Sequence, residues 1–366
     1  MTITMHLDGL GTSQPPLSIS QPDAEARAAA ISGFTPEDQR KLRLLYRASG
    51  VKQRGSVLLE PDGNGGVTQS FYGPRASDSH RGPTTAERMT RYEGAAADLA
   101  EQASRRALDA ADCPASSVSH LVTVSCTGFS APGFDFALID RLGLDPEVSR
   151  THVGFMGCHG ALNGLRVARA LASQQPGAPI LLAAVELSSL HHFYGWHPDR
   201  LVANALFADG AAAIVGSARS LESTRGGWRL VAQSSTVLPG TSDLMSWRIG
   251  DYGFEMTLSA RVPGVIVETL RPWMERWLAS TGTPLESIRS WAVHPGGPRI
   301  LSAVEESLSL PDQTLSVSRD ILAKHGNMSS PTVLFILDEL RRSGAQLPCV
   351  ALGFGPGLAI EAALFV

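Results

Sequence analysis

Three short motifs, far apart in the chain, carry a thiol, an imidazole and a side-chain amide. They are Gly-Cys-His-Gly around Cys158, Val-His-Pro-Gly-Gly around His294 and Gly-Asn-Met-Ser-Ser around Asn327. A thiol beside an imidazole can act as a thiolate nucleophile, and an amide N–H can donate a hydrogen bond to a developing oxyanion. These are the groups that acyl transfer through a thioester requires.

The surroundings of Cys158 are typical of a sharp turn between a strand and a helix. An apolar stretch ends at Met156, the small residues Gly157 and Gly160 flank the cysteine, and a helical pattern follows from Ala161. Such a turn would place the thiol at a helix N-terminus, where the helix dipole lowers the thiol pKa. The alternative is a buried structural cysteine, which is the common state of a free cysteine.

The other two motifs also have plain structural interpretations. His294 ends a strand pattern and precedes Pro-Gly-Gly-Pro, a turn that would aim the side chain out of the sheet edge, although a lone histidine is commonly structural. Asn327 stands just before a helical pattern, so it is also a good N-cap. A tight glycine loop is either a plain turn or a place where the backbone approaches a ligand. That loop comprises Gly353, Gly355, Pro356 and Gly357.

Alternating strand and helix patterns must position these motifs. The first half shows a long helical pattern over 86–111, a buried strand over 120–125 and a strong helix over 161–173. The second half shows a strand over 290–293 that ends at the histidine motif, and a helix over 330–343. This alternation predicts a layered α/β architecture in which one half duplicates the other.

The chain is expected to divide into three parts. Residues 1–32 begin with a polar stretch rich in Pro, Ser and Gln and are predicted to be a mobile N-terminal leader. Residues 33–220 would form a half that carries the cysteine motif, and residues 221–366 a half that carries the other two motifs. The boundary is expected within 217–226.

Composition narrows the class of protein. The chain has 366 residues, 43% hydrophobic content and a net charge of −4, which gives no general attraction to nucleic acid or to an anionic membrane. Its four cysteines show no Cys-x-x-Cys spacing, so neither a zinc site nor a disulfide framework is expected. The N-terminal residues do not have the pattern of a signal peptide, so none is expected, and the sequence has no run of 18 apolar residues. This composition is typical of a protein with reduced thiols in the cytoplasm.

Cys126 ends a strand pattern and is a candidate to line a cavity.

Taken together, the motifs resemble one enzyme family. The strings Trp291-Ala-Val-His-Pro-Gly-Gly-Pro, His325-Gly-Asn-Met-Ser-Ser-Pro-Thr and Gly353-Phe-Gly-Pro-Gly are similar to the C-terminal half of type III polyketide synthases. These are the chalcone and stilbene synthase family of the thiolase superfamily, here in a bacterial style. Ala205-Leu-Phe-Ala-Asp-Gly and the Gly-Cys turn extend the resemblance, which covers the chain from about Gly33 onward.

The resemblance implies a thiolase-like duplicated αβαβα fold, a homodimer and a specific reaction. Cys158 would hold an acyl starter and the growing chain, while His294 and Asn327 bind the thioester carbonyl of malonyl-CoA and stabilise the enolate left by loss of CO2. The enolate would attack the Cys158 thioester, and the extended chain would cyclise to a pyrone, a resorcinol or another phenolic product. The family uses CoA thioesters as substrates and no metal or redox cofactor.

The same resemblance assigns cavity positions. Phe207 and Met256, with Phe254 close by, would be gatekeepers between tunnel and cavity. Other cavity-shaping positions fall at Gly128, His191, Trp247 and Ser329. Three of these four differ from the plant pattern, so plant chalcone chemistry is not assumed. Lys52 and Arg54 would contribute cations to the CoA phosphates, or they are a solvated surface pair.

Two rival enzyme classes share the catalytic residues. Papain-like hydrolases also use Cys, His and Asn, with the cysteine and histidine about 130–150 residues apart; here the separation is 136 (294 − 158). They carry a Cys-Gly-Ser/Ala-Cys-Trp motif that this chain lacks. A fatty-acid-initiating ketoacyl-ACP synthase shares the fold, but the Gly-Phe-Gly-Pro-Gly loop argues against it.

Overall fold

The computed structural model describes residues 3–77, 79–220 and 227–366. The helices are α1 (Gln21–Ser32), α2 (Pro36–Ala48), α3 (Thr85–Ala110), α4 (Phe134–Leu142), α5 (Gly160–Gln174), α6 (Pro198–Leu206), α7 (Val262–Ser280), α8 (Pro298–Leu308), α9 (Ser316–His325) and α10 (Pro331–Arg342). The strands are β1 (Ile3–Ser13), β2 (Ser18–Ser20), β3 (Gln53–Gly55), β4 (Glu60–Pro61), β5 (Val67–Thr68), β6 (His120–Ser125), β7 (Ser149–Gly154), β8 (Ile180–Leu187), β9 (Asp209–Ser220), β10 (Arg229–Val237), β11 (Met245–Gly250), β12 (Gly253–Leu258), β13 (Ser290–Val293), β14 (Cys349–Gly355) and β15 (Ala359–Phe365).

Two sheets, one from each half of the chain, join into a nine-stranded sheet. The strand order is β13-β14-β15-β10-β1-β9-β8-β6-β7. The join between the halves is short, because β1 pairs with β10 only through Met5 with Leu230 and His6 with Arg229. In the first half β6 runs parallel to β7 and β8, and in the second half β13 runs parallel to β14.

Helices cover both faces of each sheet. One apolar cluster joins α5 and α10 between the two sheets. A second cluster packs α3 and α4 on the outer face of the first sheet, and a third packs α7 and α8 on the outer face of the second. The layers therefore alternate helix, sheet, helix, sheet, helix, which confirms the predicted thiolase-like αβαβα architecture. The halves match in order: a long helix (α3 or α7), a short 3-10 turn, then a parallel strand (β6 or β13).

The N-terminal segment corrects the predicted leader. Residues 3–13 form β1 in the middle of the sheet, between β9 and β10, and residues 21–32 form α1. The leader was predicted from the polar composition of this segment. The composition was misleading because the polar side chains of Thr4 and His6 are buried, like that of Met5. Gly9 lets the strand approach α3, since a Cβ there would lie 2.1 Å from the Ala107 carbonyl oxygen.

Local signals were more reliable at helix ends. Thr35 is the N-cap of α2 and accepts a hydrogen bond from the Asp38 N–H, and Pro36 occupies the first helical position, as is typical of a Thr-Pro sequence at a helix start. Thr84 forms a capping box with Glu87 at the start of α3. The expected boundary between the halves lies partly outside the described residues, since Ser217 belongs to β9 and residues 221–226 are not described. No described helix is long and apolar enough to span a bilayer.

Candidate active site

The carboxyl ends of the parallel strands converge on one place. Cys126 follows β6, Cys158 lies four residues after β7, Ser188 follows β8, His294 follows β13 and Pro356 follows β14. Open α/β sheets bind ligands beyond the carboxyl ends of their strands. The topology thus gathers side chains that are far apart in sequence.

The Cys158 turn has the predicted form. Gly157–His159 is a single 3-10 turn that leads directly into α5. Gly157 has φ +72°, and a Cβ there would lie 2.4 Å from Pro356 Cδ, so only glycine fits this corner. Cys158 itself is 7% exposed. Burial raises the pKa of the Cys158 thiol to about 11, which outweighs the lowering expected from the helix N-terminus.

Hydrogen bonds partly offset that effect of burial. Ser329 Oγ donates to Cys158 Sγ at 3.5 Å, and the side chains of Ser329 and Asn327 both act to lower the pKa of the thiol. Asn327 Oδ1 accepts the Ser329 backbone N–H at 2.8 Å, so its Nδ2 is the amide group left for the pocket. Ser329 has φ +53°, a left-handed conformation that a non-glycine residue adopts only where its surroundings enforce it.

Asn327 is held by backbone contacts and does not cap a helix. Its N–H donates to the Leu206 carbonyl at 2.8 Å and its carbonyl accepts from the Ala208 N–H at 2.9 Å. This isolated bridge sets Asn327 beside Phe207. The N-cap position of α10 is Ser330, so the helix-cap interpretation of Asn327 does not apply.

His294 lies at the end of β13, and its backbone N–H donates to the Leu352 carbonyl at 2.8 Å. Its side chain is 1% exposed, and neither ring nitrogen has a hydrogen-bond partner within the described parts of the chain. Burial lowers the pKa of His294 to about 3. The ring is therefore neutral, with both nitrogens available to another group.

A small pocket of about 20 Å³ surrounds the thiol. Among the predicted cavity positions, Phe207, Trp247, Met256, Ser329 and Pro356 line it. Cys126, which the sequence analysis named as a candidate to line a cavity, also lines it, as do three residues that the sequence reasoning missed: Thr127, Ser188 and Met245. Only Cys126 carried a signal, since it ends a strand. Met256 lines this pocket, whereas Phe254 lines only the larger cavity that adjoins it.

Gly128 does not belong to this pocket. A Cβ on Gly128 would lie 2.3 Å from the Tyr92 ring, and the residue lines a different cleft that also contains Phe129 and Arg150. The chain leaves the site two residues after the strand ends, so the positions facing the thiol are Cys126 and Thr127. The family resemblance assigned this position to Gly128, which lies one or two residues further along the chain than the residues that line the pocket.

His191 and Phe254 form a wall behind the pocket. The His191 ring stacks on Phe254 with centroids 4.3 Å apart, and it meets Trp247 edge-on at 5.3 Å. Its Nε2 contacts the Thr127 carbonyl at 2.7 Å and its Nδ1 accepts the Phe254 N–H at 2.9 Å. Both ring nitrogens are engaged, and burial lowers the pKa of His191 to about 3. His191 is therefore neutral, and its ring supports Thr127 and Phe254 through hydrogen bonds.

A larger cavity of about 130 Å³ lies beyond that wall. Its lining surface is mostly apolar and includes Ile19, Ile31 and Phe193, but charged side chains also contribute to it: Arg27, Arg54, Arg200 and Glu255. Phe207, Trp247 and Met256 line both this cavity and the thiol pocket, so the two spaces share a partition.

The two predicted CoA-binding residues, Arg54 and Lys52, lie in different surroundings. Arg54 turns inward, where its guanidinium donates to the carbonyls of Asn204 and Phe207 and lies 5.5 Å from the Tyr46 ring centroid. Its charge supports the backbone of the Phe207 segment and does not fit the predicted surface role. Lys52 is exposed in a cleft.

One buried carboxylate escaped the sequence reasoning. Glu186 on β8 is fully buried and accepts hydrogen bonds from the N–H groups of Cys126 and Thr127 and from the Ser330 hydroxyl. It ties the end of β6 to the Asn327 loop. In the part of the chain that is described, no group of three or more His, Cys, Asp or Glu side chains could hold a metal ion.

The family follows from these features together with comparison to known proteins. The family model for the N-terminal domain of chalcone and stilbene synthases matches residues 11–219, and that for the C-terminal domain matches residues 229–366. The chain belongs to this family. It is a type III polyketide synthase, an acyltransferase that forms carbon–carbon bonds.

Individual relatives agree over nearly the whole chain. The alpha-pyrone synthesis polyketide synthase-like Pks18 of Mycobacterium tuberculosis is 30% identical and aligns with 100% of this chain and 91% of its own. Type III polyketide synthase C of Arabidopsis thaliana is 33% identical over 88% of this chain and 84% of its own. The crystal structure of PKS-I from the brown alga Ectocarpus siliculosus superposes with a TM-score of 0.93 at 29% identity, covering 100% and 98% of the two chains. Neither the papain-like nor the ketoacyl-ACP synthase alternative is favoured.

Proposed function

We propose that the enzyme loads an apolar acyl starter from CoA onto Cys158 and extends it with malonyl-CoA by repeated decarboxylative condensation. The observation that carries the residue roles is the setting of the three side chains beyond the ends of the parallel strands. The Asn327 side chain interacts with the Cys158 thiol, and His294, directly after β13, has two ring nitrogens with no partner among the described residues. The extended chain then cyclises to a pyrone, a resorcinol or another phenolic product.

The chemistry needs no carboxylate base. An N–H of His294 and the Asn327 amide donate to the thioester carbonyl of malonyl-CoA, which stabilises the enolate formed as the C–C bond to CO2 breaks. The enolate carbon attacks the carbonyl carbon of the acyl–Cys158 thioester, a new C–C bond forms, and the Cys158 thiolate leaves. That thiolate takes the longer chain back from CoA for the next cycle. Transfer of a proton from Cys158 to His294 forms the ion pair that starts loading.

The cavities support an apolar starter. The thiol pocket of about 20 Å³ holds one or two water-sized positions, whereas the cavity behind it, at about 130 Å³, holds roughly ten. An acyl chain on Cys158 therefore needs the second, mostly apolar space. The shared partition of Phe207, Trp247 and Met256 is where the chain would pass.

A starter panel tests this proposal. With radiolabelled malonyl-CoA we expect CO2 release and labelled products that contain the starter. Straight-chain acyl-CoAs of about six to ten carbons should give higher kcat/KM than acetyl-CoA, because they fill the apolar cavity. Absence of CO2 and of any pyrone or resorcinol with every starter, malonyl-CoA alone included, would overturn the proposed reaction. A preference for acetyl-CoA would overturn only the assignment of the starter.

For CoA we propose the surface around α2. An apolar cleft of about 320 Å³ runs between α2, α6 and the start of α7 to Gly296, two residues after His294, which suits the pantetheine arm. On the other side of α2, Lys52 shares a cleft with Arg43 and Arg47, which offers cations to the phosphates.

The four cysteines are unpaired, in keeping with a reducing, cytoplasmic setting.

We also propose a homodimer through the edge of the sheet at β7. Most β7 residues are exposed, so the strand presents unpaired backbone groups, and Phe129, Phe136 and Phe155 are exposed nearby. A two-fold axis would let β7 pair with its own copy and cover these rings.

Sedimentation equilibrium should therefore give about twice the chain mass of 38.8 kDa. Phe136→Glu, which buries a charge in the proposed interface, should shift the protein to monomer, whereas Val237→Glu should not, because that exposed residue lies on β10 near the other sheet. A monomeric wild-type protein, or a dimer indifferent to Phe136→Glu, would contradict this interface.

A further inference from the structure

His159, the residue after Cys158, is a buried histidine that packs against β14. It is 2% exposed. A Cβ on Gly355 would lie 2.3 Å from His159 Cδ2, and one on Gly353 would lie 3.0 Å from His159 Cβ. Both glycines therefore make room for this ring. The ring sets the spacing between the Cys158 turn and the strand end that carries Pro356.

A chain of hydrogen bonds fixes the ring. His159 Nδ1 lies 2.6 Å from Asn163 Oδ1, and Asn163 Nδ2 donates to Glu361 Oε1 at 3.0 Å. The Glu361 carboxylate also accepts from Ser235 Oγ and Arg166, each at 2.5 Å. Because Asn163 gives its NH2 group to the carboxylate, its oxygen must accept from His159, which places the proton on Nδ1. Nε2 has no partner within the described residues.

The ring also acts on His294 through space. After burial, repulsion from His159 is the further cause that lowers the pKa of His294. Burial lowers the pKa of His159 itself, the hydrogen bond to Asn163 and the Glu361 carboxylate oppose this, and Arg166 reinforces it. Burial, the largest of these effects, therefore favours the neutral form of the ring, which interacts with the histidine that must accept the Cys158 proton.

We propose that His159 is a positioning residue for the condensation: through Asn163 and Glu361 it holds the Cys158 turn against β14, and it stays uncharged beside His294. This inference rests on the proposed function. A neutral ring lets His294 become an imidazolium when Cys158 ionises, whereas a charged ring would repel it. His159 does not touch the reacting atoms, so its role is exerted through Cys158 and His294.

His159→Phe tests the role, since it keeps a ring of similar size and removes both the hydrogen bond and the titrating group. We expect kcat for malonyl-CoA consumption to fall about tenfold with KM within about twofold, because the CoA cleft is not disturbed. The low-pH limb of kcat/KM should move to higher pH, because loss of the repulsion from His159 raises the pKa of His294. His120→Phe, at the opposite end of β6, is the matched control and should leave both unchanged.

Asn163→Leu provides a second route in case His159→Phe does not fold. Asn163→Leu should also lower kcat. The double variant should be no slower than the slower single variant, because each substitution breaks the same chain of hydrogen bonds from His159 to Glu361. Wild-type kcat and pH profile in His159→Phe, or a lower kcat with an unchanged pH profile, would overturn the proposal. Additive losses in the double variant would overturn it as well.

The rate of Cys158 alkylation by iodoacetamide separates this proposal from the proposed function. It requires no malonyl-CoA and reports the ionised thiol directly. If the wild type does not decarboxylate malonyl-CoA but His159→Phe shifts the pH dependence of alkylation, the proposed function fails and the positioning role stands. If the wild type is active and alkylation is unaffected by His159→Phe, the positioning role fails alone.

Discussion

Replacement of Cys158 by alanine should abolish chain extension, lowering product formation by at least about 10⁴-fold, since removing a nucleophile eliminates the covalent intermediate. Decarboxylation of malonyl-CoA should persist at a reduced rate, because His294 and Asn327, the proposed donors to the enolate, remain. Mass spectrometry of the intact protein after incubation with an acyl-CoA would show no acyl adduct. The product would be acetyl-CoA in place of a polyketide.

Cys126→Ala is the matched control for this experiment. Its thiol lies in the same pocket and contacts Glu186 and Ser329, but burial and the neighbouring carboxylate raise its pKa well above the usual value, so it is a poor nucleophile. We expect acyl loading on Cys158 to be retained in this variant. An acyl adduct in Cys158→Ala that disappears in Cys126→Ala would show that the wrong thiol has been assigned.

Replacement of Asn327 by aspartate should lower malonyl-CoA decarboxylation by about 10²–10³-fold, the cost of losing a preorganised oxyanion donor. The change is nearly isosteric, and the carboxylate still accepts the Ser329 N–H, so the left-handed turn at Ser329 is kept. What is lost is the pair of N–H groups beside the thiol, and a negative charge now faces the enolate. Release of labelled CO2 measures the effect.

Ser329→Ala distinguishes the oxyanion role from a general disturbance of the loop. It removes the hydroxyl that donates to Cys158 Sγ but leaves the backbone N–H on Asn327. A single neutral hydrogen bond is worth about 1 kcal/mol, so a loss of no more than about tenfold is expected. Equal losses in Asn327→Asp and Ser329→Ala would contradict a special role for the Asn327 amide.

Motifs with a steric reason for their residues were predictable from the sequence. Gly157 is needed because its backbone has positive φ and abuts Pro356, and such constraints keep a short motif recognisable. The strand before His294 was predictable because it is a buried apolar run that ends at a turn, and the helix after Cys158 because its apolar residues recur at helical spacing.

Long-range contacts set the limits of that prediction. The burial of Thr4 and His6 depends on strands far along the chain, so local polarity suggested a leader. Arg54 was predicted to be a surface cation. Its partners are the backbone carbonyls of Asn204 and Phe207, and a backbone partner cannot be recognised from the residue types in the sequence. Gly128 was misplaced because where a chain leaves a strand end depends on its packing, here against Tyr92.

The central position of β1 has a consequence for the order of synthesis. β1 emerges from the ribosome early, but its partner residues on β9 and β10 follow roughly 200 residues later, as the pairing of Met5 with Ala218 shows. The first sheet therefore cannot close while the N-terminal half is still being translated. Until β9 is made, the apolar side chains of β1 stay exposed, so we expect this strand to be prone to aggregation in the nascent chain.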